Sequence, residues 1–167
     1  MSDDLSPRLA LPFLNAGQAQ KEITHNEALT LLDLLTQTVV VAAGVNVPPE
    51  APVAGQCWIV GTKPDGAWSG SAQALAGWSE SGWRFCLPVP GMCAWSLADG
   101  AQLRFDGTGW SVGILRAAGV EIGGVQVVGE RQPAIAEPTG GTVIDAEARG
   151  ALASVVAALH NHGLIGT

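Results

Sequence analysis

Apolar positions along this chain follow three different rhythms. From Ala28 they crowd one face of a helix, with Leu29, Leu31, Leu32, Leu34 and Leu35 in quick succession. Thr24 precedes that run and Glu27 follows Thr24 by three residues, the spacing of a capping box. This predicts a helix from Thr24 to about Val41, with the β-branched Val39–Val41 marking where the helix gives way. Residues 1–15, which contain Pro7 and Pro12, read as extended. Asn46–Pro52, with prolines at 48, 49 and 52, reads as a linker.

From Gly55 to Val112 the rhythm drops to two. Gln56–Val60 is a short apolar strand. Trp83, Phe85 and Leu87 alternate with Arg84 and Cys86, and Leu103 and Phe105 alternate with Gln102, Arg104 and Asp106. Asp65-Gly66, Ser81-Gly82, Asp99-Gly100 and Asp106-Gly107 punctuate these runs as turns. Trp78-Ser79 with Trp83-Arg84-Phe85 is echoed by Trp95-Ser96 with Leu103-Arg104-Phe105, which suggests two related hairpins, not a repeat array. Val120–Val128 is a glycine-interrupted β stretch and Pro133–Gly141 a connector. The helical rhythm then returns, capped by Asp145 and ended by Gly163.

The pattern predicts a mainly-β protein with flanking helices (α+β). It has an N-terminal helix, a Trp-rich antiparallel β module and a C-terminal amphipathic helix. Three regions follow: an anchoring arm and helix over 1–50, the β module over 51–130, and a connector with a possible oligomerisation helix over 131–167.

Composition narrows the partners. The 167 residues are 47% apolar and only 14% charged, which rules out disorder and leaves little polar surface, a shortage that burial in an oligomer resolves. The net charge is −7 and the eight basic residues are scattered, so no basic stripe exists to meet nucleic acid. No apolar run reaches membrane-spanning length, and the first residues lack the pattern of a secretory signal. Cys57, Cys86 and Cys93 are odd in number and irregular in spacing, and read as reduced thiols and not as a disulfide framework.

Ala148, Leu152, Val155, Leu159 and His162 alternate spacings of four and three, the seam of a coiled coil. The competing assignment is an amphipathic helix packed on its own domain. Leu152, Val155 and Leu159 are the candidate oligomerisation residues. His160 and His162 lie two apart and do not share a helix face, so they would hold a metal only if copies met on a symmetry axis. No other metal site and no cofactor is expected.

All six tryptophans fall between Trp58 and Trp110, and there is no tyrosine. Flat indoles can stack on sugar rings. Trp83 shares a face with Phe85 and belongs to the core. Trp68 and Trp78 lie in Gly/Ser-rich surroundings and are the candidates for exposure and glycan binding, with core or subunit interface as the competing assignment. Catalytic signatures are missing: there is no Gly-x-Ser-x-Gly, phosphate loop or Rossmann glycine pattern, and TGGT at Thr139–Thr142 lacks the lysine of a phosphate loop. Asp99 and Asp106 would suit a glycosidase pair, but Asp-Gly turn chemistry accounts for both. The expectation is that the chain is not an enzyme.

LALPFLNAGQAQKEITHNEAL from Leu9, CWIVG from Cys57, GAWSG from Gly66 and GWRFCLPVPG from Gly82 together resemble a family of short phage and gene-transfer-agent proteins. So do residues Gly123–Leu152 and HGLI from His162. That family is catalogued as a domain of unknown function and is associated with tail fibres and head spikes. The resemblance spans residues 8–165, and the family offers no catalytic residue to carry over. Many relatives are longer, with further receptor-binding modules, and the three cysteines are not a family requirement.

The resemblance implies a structural component of a phage or phage-like particle, made in the bacterial cytoplasm and located in the virion. It would be a tail fibre, spike or spike-base subunit that forms symmetric oligomers, commonly trimers. Its partners would be other virion proteins and host-surface polysaccharide. The alternative is a soluble carbohydrate-binding module outside any particle.

Overall fold

The computed structural model describes residues 5–14, 17, 21–137, 139–143 and 145–166. It is mainly β with one helix near each end. The elements are α1 (Lys21–Leu35), β1 (Val39–Val40), β2 (Ala43–Val45), β3 (Cys57–Val60), β4 (Leu75–Ser79), β5 (Gly82–Cys86), β6 (Cys93–Ser96), β7 (Ala101–Phe105), β8 (Trp110–Val112), β9 (Val120–Ile122), β10 (Val125–Val128) and α2 (Ala146–Asn161). The chain divides into two compact units, Met1–Ile114 and Leu115–Thr167.

The first unit holds two four-stranded sheets built on one plan. In the β3 sheet the order is β2-β3-β4-β5, and in the β6 sheet it is β1-β6-β7-β8. Each is an antiparallel three-stranded meander extended by one short parallel strand. Both parallel strands come from the segment just after α1, so two consecutive short strands feed two different sheets. The sequence echo joins hairpin β4–β5 to hairpin β6–β7, which occupy different places in their sheets. It is not the trace of this shared plan.

The β3 sheet is buried on both faces, which explains the uninterrupted burial of Cys57–Val60. One face presents Cys57, Ile59 and Leu75 to Val40, Ala94 and Leu103 of the β6 sheet, and Leu34 of α1 enters the same cluster. The opposite face gathers Trp58, Val60 and Ala76 with Trp68, flanked by Trp78, Trp83 and Phe85. The β6 sheet is buried on one face only. Its strands β6 and β7 alternate cleanly, with Ala94, Ser96, Leu103 and Phe105 inside.

Two helix expectations change. α1 runs from Lys21 to Leu35, so Thr24 and Glu27 lie inside the helix and form no capping box. Glu27 instead accepts from Arg84 Nε at 2.7 and 3.0 Å. The helix also stops earlier than Val41, because Val39–Val40 pairs with Trp95 and Ser96. Residues 15, 16 and 18–20 of the LALPFLNAGQAQKEITHNEAL stretch lie outside the described residues. Ser81-Gly82, Asp99-Gly100 and Asp106-Gly107 do form hairpin turns, whereas Asp65 caps the short 3-10 turn Gly66–Trp68.

The second unit contains the hairpin β9–β10, the connector and α2. Asp145 caps α2, accepting from the Ala148 amide at 2.8 Å. Beyond the C-cap His162, Gly163 takes a left-handed conformation, φ 71°, as helix ends favour. Leu164 and Ile165 return to residues 131–132 through Gln132 N–H to Leu164 O, 2.9 Å, and Arg131 Nε to Ile165 O, 2.8 Å.

Candidate functional site

Cross-strand pairing places Trp78 opposite Trp83 on the outer face of the β3 sheet. The loop after β3 folds back over that face, and its 3-10 turn inserts Trp68. The rings of Trp58, Trp68, Trp78 and Trp83 meet at centroid distances of 4.9–6.2 Å, mostly edge to face. This corrects the expected exposure of Trp68: the indole is fully buried, because Gly and Ser around it make the turn that turns it inward. Trp78 is half-buried at the edge of the same cluster. Trp83 and Phe85 pack into it, as the alternation predicts.

The open tryptophan is Trp95. It stands on the solvent face of the β6 sheet and is 46% exposed. Val39 on β1 and Gln102 on β7 lie directly across from it, while Cys93 and Arg104 form the next pair on that face. A shallow groove of about 350 Å³ runs beside the indole along β1, lined by Gln37, Thr38, Val39, Cys93, Trp95 and Gln102 among others. Sequence reasoning missed this residue, although the signal was present. In Cys-Ala-Trp-Ser the small Ala94 and Ser96 face the packed interior, which turns Trp95 outward.

A second groove, of about 560 Å³, lies between residues 5–14 (the leader), α1 and the β4–β5 turn. Its polar groups are largely engaged with one another. Arg84 holds Glu27 and Ser81, and Asn26 holds the backbone of Leu14 through both amide atoms, at 2.8 and 3.0 Å. Below it, the buried Asp33 carboxylate accepts from Ser6 Oγ (2.7 Å), Arg8 N (3.1 Å) and Leu9 N (2.6 Å). The Arg8 guanidinium reaches the carbonyls of Asp33, Leu34, Thr36 and Gln37 at the end of α1. These contacts strap the leader onto the helix.

A family profile described as Protein of unknown function (DUF2793) matches residues 25–111, just over half of the chain. The chain belongs to the DUF2793 family. No curated protein matches it. The DUF2793 match covers most of α1 and nearly all of both sheets, including Trp95 and the buried tryptophans, and ends before β9.

Outside the match, Leu152 and Val155 are 51% and 56% exposed on α2, and Leu159 is half-buried. His160 is half-buried with Nε2 lacking a partner among the described residues, and His162 is exposed. No group of three or more potential metal ligands occurs among the described residues. Asp99 accepts from Ser96 Oγ at 2.5 Å, and Asp106 accepts from Thr108 and Gly109 within its turn. Burial pushes the Cys57 thiol up to about 11, against a lowering by Arg8, and also raises the Cys86 thiol. No helix among the described residues is long and apolar enough to cross a membrane.

Proposed function

We propose that this chain is a structural subunit of a phage or phage-like particle, a tail fibre, spike or spike-base component that assembles with copies of itself and contributes to host-surface attachment. On this reading it is made in the bacterial cytoplasm, ends in the virion among other virion proteins, and performs no catalysis. Residues Leu115–Thr167 carry the reading. Among their described hydrophobic side chains, only Ile165 is buried. α2 has no buried residue, although its sequence is apolar on most sides, a pattern suited to a helix that other chains cover. The motif resemblance supplies the particle and a trimer as the expected symmetry, and the Leu152–Val155–Leu159 seam supplies a surface for the association.

Light scattering on the full chain tests the assembly. The expected mass is three times the 17.1 kDa of one chain. A strict monomer at micromolar concentration overturns the reading. Purified particles from the source bacterium should contain the chain alongside capsid or tail proteins. A second reading, a soluble carbohydrate-binding module outside any particle, draws support from the open Trp95 indole. It predicts saccharide binding by a monomer.

A further inference from the structure

We propose that the solvent face of the β6 sheet, centred on Trp95, binds a neutral hexopyranose chain. The proposal deepens the attachment part of the function above and rests on that part alone.

Three observations carry it. First, Trp95 stands apart from the other tryptophans. Trp58, Trp68, Trp78 and Trp83 share one aromatic cluster, and Trp110 contacts Phe105 and donates its indole N–H to Gln73 O at 2.9 Å. Trp95 has no ring contact and no indole hydrogen bond among the described residues, so both its apolar face and its donor are open.

Second, hydrogen-bonding side chains surround it. Gln102 is directly opposite, Arg104 is two residues further along β7, and Gln37 lines the groove. Among the described residues, Gln37, Gln102 and Arg104 take part in hydrogen bonds through their backbone carbonyls, and their side-chain groups do not. This sets the face apart from the leader groove, where polar groups largely engage each other. An indole with the Gln102 amide directly across from it, and the Arg104 guanidinium one pair further along the same sheet face, offers groups for the two aspects of a pyranose ring, an apolar face of C–H bonds and a rim of hydroxyls.

Third, size and charge select among ligands. About 350 Å³ is at the small end of ligand pockets, a size suited to a short ligand. A net charge of −7 opposes a polyanion, and one arginine on this face does not reverse that. The face therefore favours a short stretch of uncharged sugar. Weak single sites of this kind gain strength when copies act together on a polymer.

Calorimetric titration of the full-length chain tests the site. The probes are neutral gluco-, manno- and galacto-oligosaccharides in α and β linkage, with polygalacturonate as the anionic control. At least one neutral oligomer should bind. Trp95→Ala should weaken that binding by about tenfold or more. Gln102→Ala should weaken it severalfold, and Trp95→Phe should retain part of it. Both residues are exposed, and far-UV circular dichroism verifies that each variant folds.

Binding by none of the neutral oligomers overturns the proposal, as does binding unaffected by both alanine variants. Preference for polygalacturonate overturns the choice of a neutral ligand. A change of oligomeric mass in Trp95→Ala overturns it in favour of a second copy on this face. Light scattering reads the assembly separately. A monomer that binds sugar defeats the particle reading and keeps this site, and an oligomer that binds none does the reverse.

Discussion

At Gly77 a missing methyl group lets a helix rest on a sheet. A Cβ there would lie 2.5 Å from Leu34 Cδ1 and 2.7 Å from Cδ2, and Leu34 is itself held in the core. Gly77→Ala should cost about 1–3 kcal/mol in denaturant unfolding, and Leu34→Ala about 2–5 kcal/mol. The double variant should lose less than the sum, because Leu34→Ala makes room for the new methyl. Cys57, in the same cluster, ties stability to pH. Its thiol ionises near 11 in the folded chain against 9.0 when free, so the unfolded state loses its proton first as pH rises. Folding stability should therefore fall as pH rises from 9 to 11, with a slope approaching about 1.4 kcal/mol per pH unit. Comparing Cys57→Ala with the parent chain by denaturation across that range isolates the effect: the fall should be shallower in the variant, where the raised Cys86 thiol still contributes. Single-residue features differ in how far the sequence betrays them. Trp95 was readable from its small neighbours. Trp68 was not, because its burial depends on a loop folding over a sheet face that no local pattern announces.

Elements owe their positions to contacts far apart in sequence. The α1 and α2 rhythms, the Asp145 cap, the hairpin turns at Ser81, Asp99 and Asp106, and the alternation of β7 were legible because each is local. The parallel strands β1 and β2 were not. Each is only two or three residues long, and its strand character comes from a partner more than ten residues away. Glu27 was misread for the same reason: its spacing from Thr24 suggested a cap, but Arg84 of β5 claims its carboxylate. The leader strap was equally hidden, since Asn26 and Asp33 look like ordinary polar positions on a helix until residues 6–14 are laid across them. Asp33→Ala would leave Ser6 Oγ and the Arg8 and Leu9 amides without their acceptor. The expected loss is about 3 kcal/mol, from stranded buried donors, together with faster proteolysis within residues 5–14. Asp33→Asn keeps one acceptor oxygen and should recover part of the stability. Equal stability of Asp33→Ala and the parent chain would show that the strap contributes nothing.

At the scale of the whole molecule, the two compact units report through different signals. All six tryptophans lie between residues 58 and 110, so indole fluorescence follows the first unit alone. Far-UV dichroism at the helical band follows α1 and α2 together. The first unit has its own core, with Leu34, Ile59, Leu75 and Leu103 each at most 1% exposed, and its melting should not depend on protein concentration. α2 is 16 residues long, near the limit below which an isolated helix is marginal in water. If neighbouring copies cover it, its melting must rise with protein concentration, as any association-linked transition does. Heating at two concentrations a hundredfold apart should shift the helical transition upward while leaving the fluorescence transition in place. Leu152→Asp with Val155→Asp should remove the concentration dependence and reduce the mass to one chain, because each carboxylate would have to be buried unpaired in the seam. The fluorescence transition should be unchanged in that double variant, which separates loss of assembly from loss of fold. Concentration-independent melting of both signals would mean that α2 is stable without other copies, and the proposed assembly would fall with it.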